Sequence, residues 1–333
     1  MAATETDLAG EQQRALREGC GLLDRSERGK LALTGGGALE FLNGQVTNEL
    51  TDLRPGEGRY AAFLTAKGKM LGDVRILAVG APGGQAGEQG PPTELLLDTE
   101  RTALQALFDM IRRYKVGFDV ELHKRTVQRG LLSLIGPAAV ATSGADALGD
   151  AVEHANAAMD IAGIEALAVR SDVGIDLICD AAYTERLAAA LVERGAVPVS
   201  EAAAEVLRVE SGRPRFGVDM DDTTIPQEAA LNERAVSFTK GCYVGQETVA
   251  RLFYRGKPNR HLRGLRLSAP AATGEELHLG ERVVGHVGSS VVSPLLGPIA
   301  LALVRREAEP GATVTVGESA MPAVVTALPF TSG

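Results

Sequence analysis

Tryptophan is absent from this 333-residue chain, and aromatic residues make up only 4% of it. The cysteines number three, Cys20, Cys179 and Cys242, with no C-x-x-C pair among them. So sparse and odd a set fits a reducing compartment better than a disulfide framework. It also makes the chain a poor holder of an iron–sulfur cluster, which usually takes four thiolates. The five histidines, His123, His154, His261, His278 and His286, show no H-x-x-x-H or H-E-x-x-H spacing, which argues against a metal hydrolase. Neither G-x-S-x-G nor a P-loop occurs. No run approaches the ~18 apolar residues of a membrane span. The small, polar segment Met1–Gly10 lacks the basic and apolar regions of a signal peptide, so a cytoplasmic protein without membrane contact is expected. Basic charge is in short supply too. The net charge of -9 and pI of about 5.2 disfavour broad nucleic-acid binding, although a local basic pocket for one anionic small molecule is compatible with them.

What is present is an ordinary globular composition, 45% hydrophobic and 23% charged, long enough for two or three compact units. Residues 11–28 are charged and helix-compatible. Leu31 and Leu33 lead into Thr34-Gly35-Gly36-Gly37, a strand ending in a glycine turn, and a short helix with Leu39, Phe41 and Leu42 ends at Asn43-Gly44-Gln45. Tyr60–Leu64, Val74–Val79 and Leu95–Leu97 read as strands, and the Gly/Pro/Gln-rich stretch from Gly80 to Pro92 as a mobile loop. Thr99 is the expected N-cap of a helix carrying Leu104, Leu107, Phe108 and Ile111. A second, similar unit shows strands at Leu131–Ile135, Ile164–Val169 and Gly174–Cys179. In it a helix from Thr184 to Arg194 is stopped by Gly195, and a further helix is capped by Ser200. After Arg260 five short strand-like runs separated by glycines predict a small barrel: His261–Leu267, Glu281–Ser290, Ile299–Val304, Ala312–Val316 and Ala323–Ala327. The expected class is α+β, with units over 11–126, 127–256 and 257–330.

The sharpest local signal is Lys240-Gly241-Cys242-Tyr243-Val244-Gly245-Gln246-Glu247. Two glycines around a lone cysteine permit a tight bend and close approach of a ligand. Lys240 stands two residues from Cys242, where a cation favours the reactive thiolate. The competing reading is a cysteine buried beside a turn.

This octapeptide resembles the K-G-C-[FY]-x-G-Q-E signature of the YgfZ-type folate-binding family, relatives of the glycine-cleavage T-protein. Ile225-Pro226-Gln227-Glu228-Ala229 and Val249-Ala250-Arg251 resemble the same family. So do Phe41 to Asn48 around Gly44-Gln45-Val46-Thr47, the Lys67-Gly68-Lys69 hairpin, and Val209-Glu210-Ser211-Gly212. The resemblance implies a T-protein-like ring of three parts, two interleaved α/β units and a C-terminal barrel, around a central tetrahydrofolate cavity. It implies a monomer acting in maturation or repair of iron–sulfur enzymes, including radical tRNA-modifying enzymes, with those enzymes or assembly proteins as partners. Glu210 falls at the family position for the pterin, whose adjacent ring N–H and amine a carboxylate accepts in a paired geometry. Lys240, Asn43, Gln246 and Tyr243 are the further candidate folate contacts, against the plainer readings of a solvated lysine and of turn-stabilising Asn43 and Gln246, and the resemblance makes Cys242 with Lys240 the functional pair. With no indole available, Tyr60, Phe216 or Tyr243 would stack on the pterin. Arg251, Arg255 and Lys257 form a basic cluster suited either to a polyglutamate tail or to plain solvation.

Two other functions stay open at this point. One is a folate-dependent aminomethyltransferase or demethylase of the T-protein type. The family aspartate of such enzymes falls near Gln105, where no acid stands, with Asp98, Glu100 and Asp109 close by. The other is a non-catalytic folate store or sensor, and the residues do not decide whether the protein turns over.

Overall fold

The computed structural model describes residues 5–80 and 90–331. Most of the expected Gly80–Pro92 loop, residues 81–89, lies outside them. The chain divides into two compact units, each built from several stretches. Unit 1 comprises residues 1–44, 48–61 and 74–204, and unit 2 comprises 45–47, 62–73 and 205–333.

Unit 1 starts with helix α1 (Glu5–Glu18), strand β1 (Gly21–Asp24), strand β2 (Gly29–Thr34) and helix α2 (Ala38–Asn43). The continuous helix-compatible stretch expected over residues 11–28 is thus replaced by a helix that stops before Gly19 and a buried strand. Leu22 and Leu23 gain more by pairing in a sheet core than helix propensity offers. Next come β3 (Gly58–Leu64), β4 (Met70–Val79), β5 (Glu94–Thr99), α3 (Leu104–Tyr114) and β6 (Glu121–Lys124). Thr99 is the buried last residue of β5 rather than a helix cap, and Ala103 occupies the N-cap of α3. The strands β3 to β6 form with β2 a five-stranded sheet in the order β3-β4-β5-β2-β6.

The following stretch repeats this logic with β7 (Arg129–Ile135), α4 (Ala139–Ser143), β8 (Asn156–Ile161), β9 (Ile164–Arg170), β10 (Gly174–Asp180), α5 (Thr184–Glu193) and β11 (Val197–Pro198). These strands join β1 in a six-stranded sheet, order β11-β1-β7-β10-β9-β8. Both halves turn from strand to short helix on a left-handed glycine, Gly35 (φ 105°) and Gly136 (φ 121°). A Cβ on either would sit 2.3 Å from the Asp119 carbonyl oxygen or 2.5 Å from that of Gly19, so only glycine fits. Ala32, Leu77 and Leu96 of one sheet share a core with Leu131, Val169 and Ile178 of the other. Beside it lies a buried ionic chain. Arg75 bridges Asp98 (2.7 Å) and Asp176 (2.5 Å), Arg28 adds a second contact to Asp98 (2.9 Å), and Ser133 donates to Asp176 (2.6 Å). Helix α6 (Glu201–Glu210) follows, with the Ser200 hydroxyl accepting the Ala203 amide at 3.2 Å, the cap expected there.

Unit 2 holds α7 (Asn232–Ala235), α8 (Gln246–Arg255) and the strands β12 (Arg260–Leu267), β13 (Glu276–Leu279), β14 (Arg282–Ser293), β15 (Gly297–Arg305), β16 (Thr313–Val316) and β17 (Met321–Thr326). The six strands close into a barrel, β12-β15-β14-β13-β16-β17, filled by Leu265, Leu277, Val287, Ala302, Val314 and Val325 among others. Five strands are near those expected from the glycine-punctuated runs. The sixth, β13, escaped notice because it is four residues long, with Glu276 and His278 making half of it polar. No helix of the described residues is long and apolar enough to cross a membrane.

Candidate functional site

The sequence segments singled out above are scattered along the chain, yet most of them meet in unit 2. The 45–47 segment docks on the stretch that leads into the cysteine loop. Thr47 Oγ1 donates to the Ala235 carbonyl (2.6 Å), and the Thr47 carbonyl accepts the Ser237 amide (2.9 Å). Lys240 is buried, and its Nζ donates to the Val46 carbonyl at 2.9 Å while lying 5.3 Å from the Tyr243 ring centroid. The hairpin around Lys67-Gly68-Lys69 docks on the other flank. Lys69 Nζ donates to the Thr223 carbonyl (2.6 Å), and the Thr224 carbonyl accepts the Met70 amide (2.9 Å). From the 225–229 segment Gln227 Nε2 donates to the Val249 carbonyl in α8 at 2.6 Å. Glu228 receives Arg260 at 2.8 Å and the Ile225 amide at 3.1 Å.

Between these anchors residues 240–245 form a loop that ends on left-handed Gly245 (φ 84°), the N-cap of α8. A Cβ there would lie 2.6 Å from the Thr65 carbonyl oxygen and 3.2 Å from the Cα of Gly68. Gly68 is itself left-handed, and its own Cβ would meet Thr248 at 2.7 Å. Hairpin and loop therefore touch glycine to glycine, an approach that no side chain permits. The loop turns Tyr243 inward, where burial pushes its hydroxyl up to about 12. It turns Cys242 outward: Cys242 is exposed, whereas Cys20 and Cys179 are buried and burial pushes both of their thiols up. Gln246 opens α8 with its amide 3.5 Å from the Gly241 carbonyl. Asn43, by contrast, belongs to unit 1. It is the last residue of α2, and its Oδ1 accepts the Leu50 amide at 2.9 Å, a turn-stabilising bond.

Glu210 ends α6, where the helix dipole disfavours an anion. Its carboxylate Oε1 accepts the Ser293 hydroxyl at 2.5 Å, and its carbonyl accepts the Phe330 amide at 3.0 Å. Two residues earlier in α6, Arg208 binds Asp219 (2.9 Å) and Glu205 (2.7 Å) and also reaches Ser289. Asp219 in turn accepts the Ser289 amide at 2.7 Å. Burial pulls the Arg208 guanidinium down, and the carboxylates of Glu205 and Asp219 more than reverse this.

Sequence reading passed over Ser293, Asp219 and Arg208. The Ser-Pro-Leu-Leu-Gly run at 293–297 signals a turn, but nothing in it signals a partner 83 residues away. It also passed over Asp73, a half-buried carboxylate of unit 2 whose Oδ1 is closed off from solvent. The acids near Gln105 are differently placed. Asp98 and Glu100 are tied to Arg28, and Asp109 is exposed beside Gln105 (2.8 Å) and Arg112 (3.3 Å), all in unit 1.

Comparison with known proteins decides the family. Residues 3–240 match the GCVT N-terminal domain, and residues 260–331 match the glycine cleavage T-protein C-terminal barrel domain. This chain belongs to the glycine cleavage T-protein family. An aminomethyltransferase of Streptomyces avermitilis is 31% identical across 99% of the chain and 94% of the relative. A chloroplastic putative transferase of Arabidopsis thaliana is 27% identical across 95% of the chain and 72% of the relative. The fold matches the crystal structure of the glycine cleavage system aminomethyltransferase T from Bartonella henselae with a TM-score of 0.83. That match is 24% identical and covers 97% of this chain and 90% of the other. The T-protein fold expected from the sequence, with α/β sheets and a C-terminal barrel, is the fold observed.

Proposed function

We propose that this T-protein family member binds a tetrahydrofolate and acts on the one-carbon unit that the folate carries. The observation that supports it most is the gathering of Glu210, the 45–47 segment, the 65–70 hairpin and the 240–247 segment in one unit, where Lys240 ties the loop to Val46 and Gly245 meets the hairpin at Thr65 and Gly68. The donor set suits the ligand. Glu210 offers an acceptor carboxylate, oriented by Ser293, for the paired N–H groups of a pterin edge. Tyr243 lies in the 240–245 loop, Gln246 opens α8 directly after it, and Lys240 fixes that loop to Val46. Bound tetrahydrofolate supplies two nitrogens able to carry a one-carbon unit. The protein's part is to orient them and to limit access of water.

For the chemistry itself, the relatives named aminomethyltransferase favour aminomethyl transfer. One observation favours a second reading, the YgfZ-type role in maturation or repair of iron–sulfur enzymes. The only exposed thiol of the three, Cys242, sits in the glycine-bracketed loop, open to the solvent from which a partner protein would approach. Aminomethyl transfer assayed with a lipoyl carrier protein separates the two. Activity that survives Cys242→Ala supports the first. Absence of that activity, together with loss of iron–sulfur enzyme activity in cells that carry only Cys242→Ala, supports the second.

A further inference from the structure

We infer that Ser293, at the end of barrel strand β14, is a specificity-determining positioning residue for the folate-recognition carboxylate of Glu210. The inference rests on the folate reading above. Ser293 is buried, and a hydroxyl has one proton to give and two lone pairs to fill. Both lone pairs are engaged, since Oγ accepts the Leu295 amide (3.1 Å) and the Leu296 amide (3.0 Å) of the turn between β14 and β15. The proton is therefore left for one partner, and Glu210 Oε1 stands 2.5 Å away. The turn thus aims the O–H, and the O–H fixes the rotation of the carboxylate. A serine needed only to close its turn would have no use for an acid so far off in sequence.

The rest of the surroundings fix the backbone that carries this carboxylate. Arg208, Asp219 and Ser289 pin the preceding helical turn to β14, four residues before Ser293 along that strand. The Phe330 amide bonds the Glu210 carbonyl, and Leu328 packs where any Cβ on left-handed Gly212 would sit (2.9 Å). Barrel strand and C-terminal segment, both of unit 2, thus bond one residue, the first at the Glu210 carboxylate and the second at its carbonyl. Recognition of two adjacent N–H donors requires a carboxylate held in one plane, because a bidentate pair tolerates little rotation. In this arrangement Ser293 touches no ligand and acts through Glu210.

The test compares tetrahydrofolate with its 2-deamino analogue, which lacks one donor of the pair, by calorimetry on the full chain. The wild type should prefer tetrahydrofolate by roughly ten- to hundred-fold. Ser293→Ala should shrink that preference to within about threefold, and Ser293→Thr, which keeps a hydroxyl, should restore most of it. The ratio of the two affinities cancels any loss of folded protein, so it moves only if the recognition itself changes. An unchanged preference in folded Ser293→Ala overturns the inference and leaves the folate reading standing. Failure of the wild type to bind tetrahydrofolate overturns both. Should Ser293→Ala not fold, a wild-type preference that Ser293→Thr abolishes would contradict the hydroxyl's role as well.

Discussion

The ammonium of Lys240 lies 2.9 Å from the carbonyl oxygen of Val46, joining the first residue of the cysteine loop to a strand-edge segment 194 residues earlier. A cation beside Cys242 in sequence is thus a structural anchor of the loop. Lys240→Met should remove this bond, leave a buried carbonyl unpaired and cost about 1–3 kcal/mol, read by chemical denaturation. Lys240→Arg should cost less if the carbonyl is still reached. Unchanged stability of Lys240→Met would show that the bond contributes nothing.

The glycine-to-glycine contact gives a second prediction. Gly245→Ala places a side chain in left-handed backbone and against the Thr65 carbonyl, so a loss of about 1–3 kcal/mol is expected from strain alone. Because the hairpin or the loop must give way, the environment of Cys242 should change with it. Thiol-reagent kinetics on native protein check this. The wild type should show one fast thiol, Cys242, with Cys20 and Cys179 reacting only on unfolding.

A third prediction concerns pH. Burial alone would raise the Asp98 carboxyl, but Arg28 and Arg75 overcome that and hold it well below the usual carboxylate range. The folded state thus resists a proton that the unfolded chain accepts near pH 4. This stabilisation is complete above that pH and is lost as the pH falls from about 4 toward the depressed folded value. Asp98→Asn should cost about 3–5 kcal/mol at neutral pH by leaving Arg75 under-paired, and the gap to wild type should narrow below pH 4. Thermal melts between pH 2 and pH 7 measure both.

Much of this architecture was legible in the chain. Alternating apolar runs between glycines gave five barrel strands, because a strand with one buried face writes its period into the sequence. The octapeptide and the 45–47 and 65–70 segments stood out as motifs, and the fold brings them together. Other features were hidden for physical reasons. Strand β1 lies inside a charged, helix-compatible stretch, and only long-range pairing with β7 and β11 makes it a strand. Helix α8 starts on a glycine without a side-chain cap, so its start carries no capping signal in the sequence. Ser293 is one hydroxyl in a turn, and its significance depends wholly on Glu210, which the barrel places against it.

Binding of tetrahydrofolate by calorimetry, wild type against Glu210→Ala, tests the central claim most directly. The account predicts clear binding by the wild type and a roughly ten- to hundred-fold or greater loss in the variant, with the fold intact by circular dichroism. Equal affinity in both proteins, or no binding by the wild type, would contradict it.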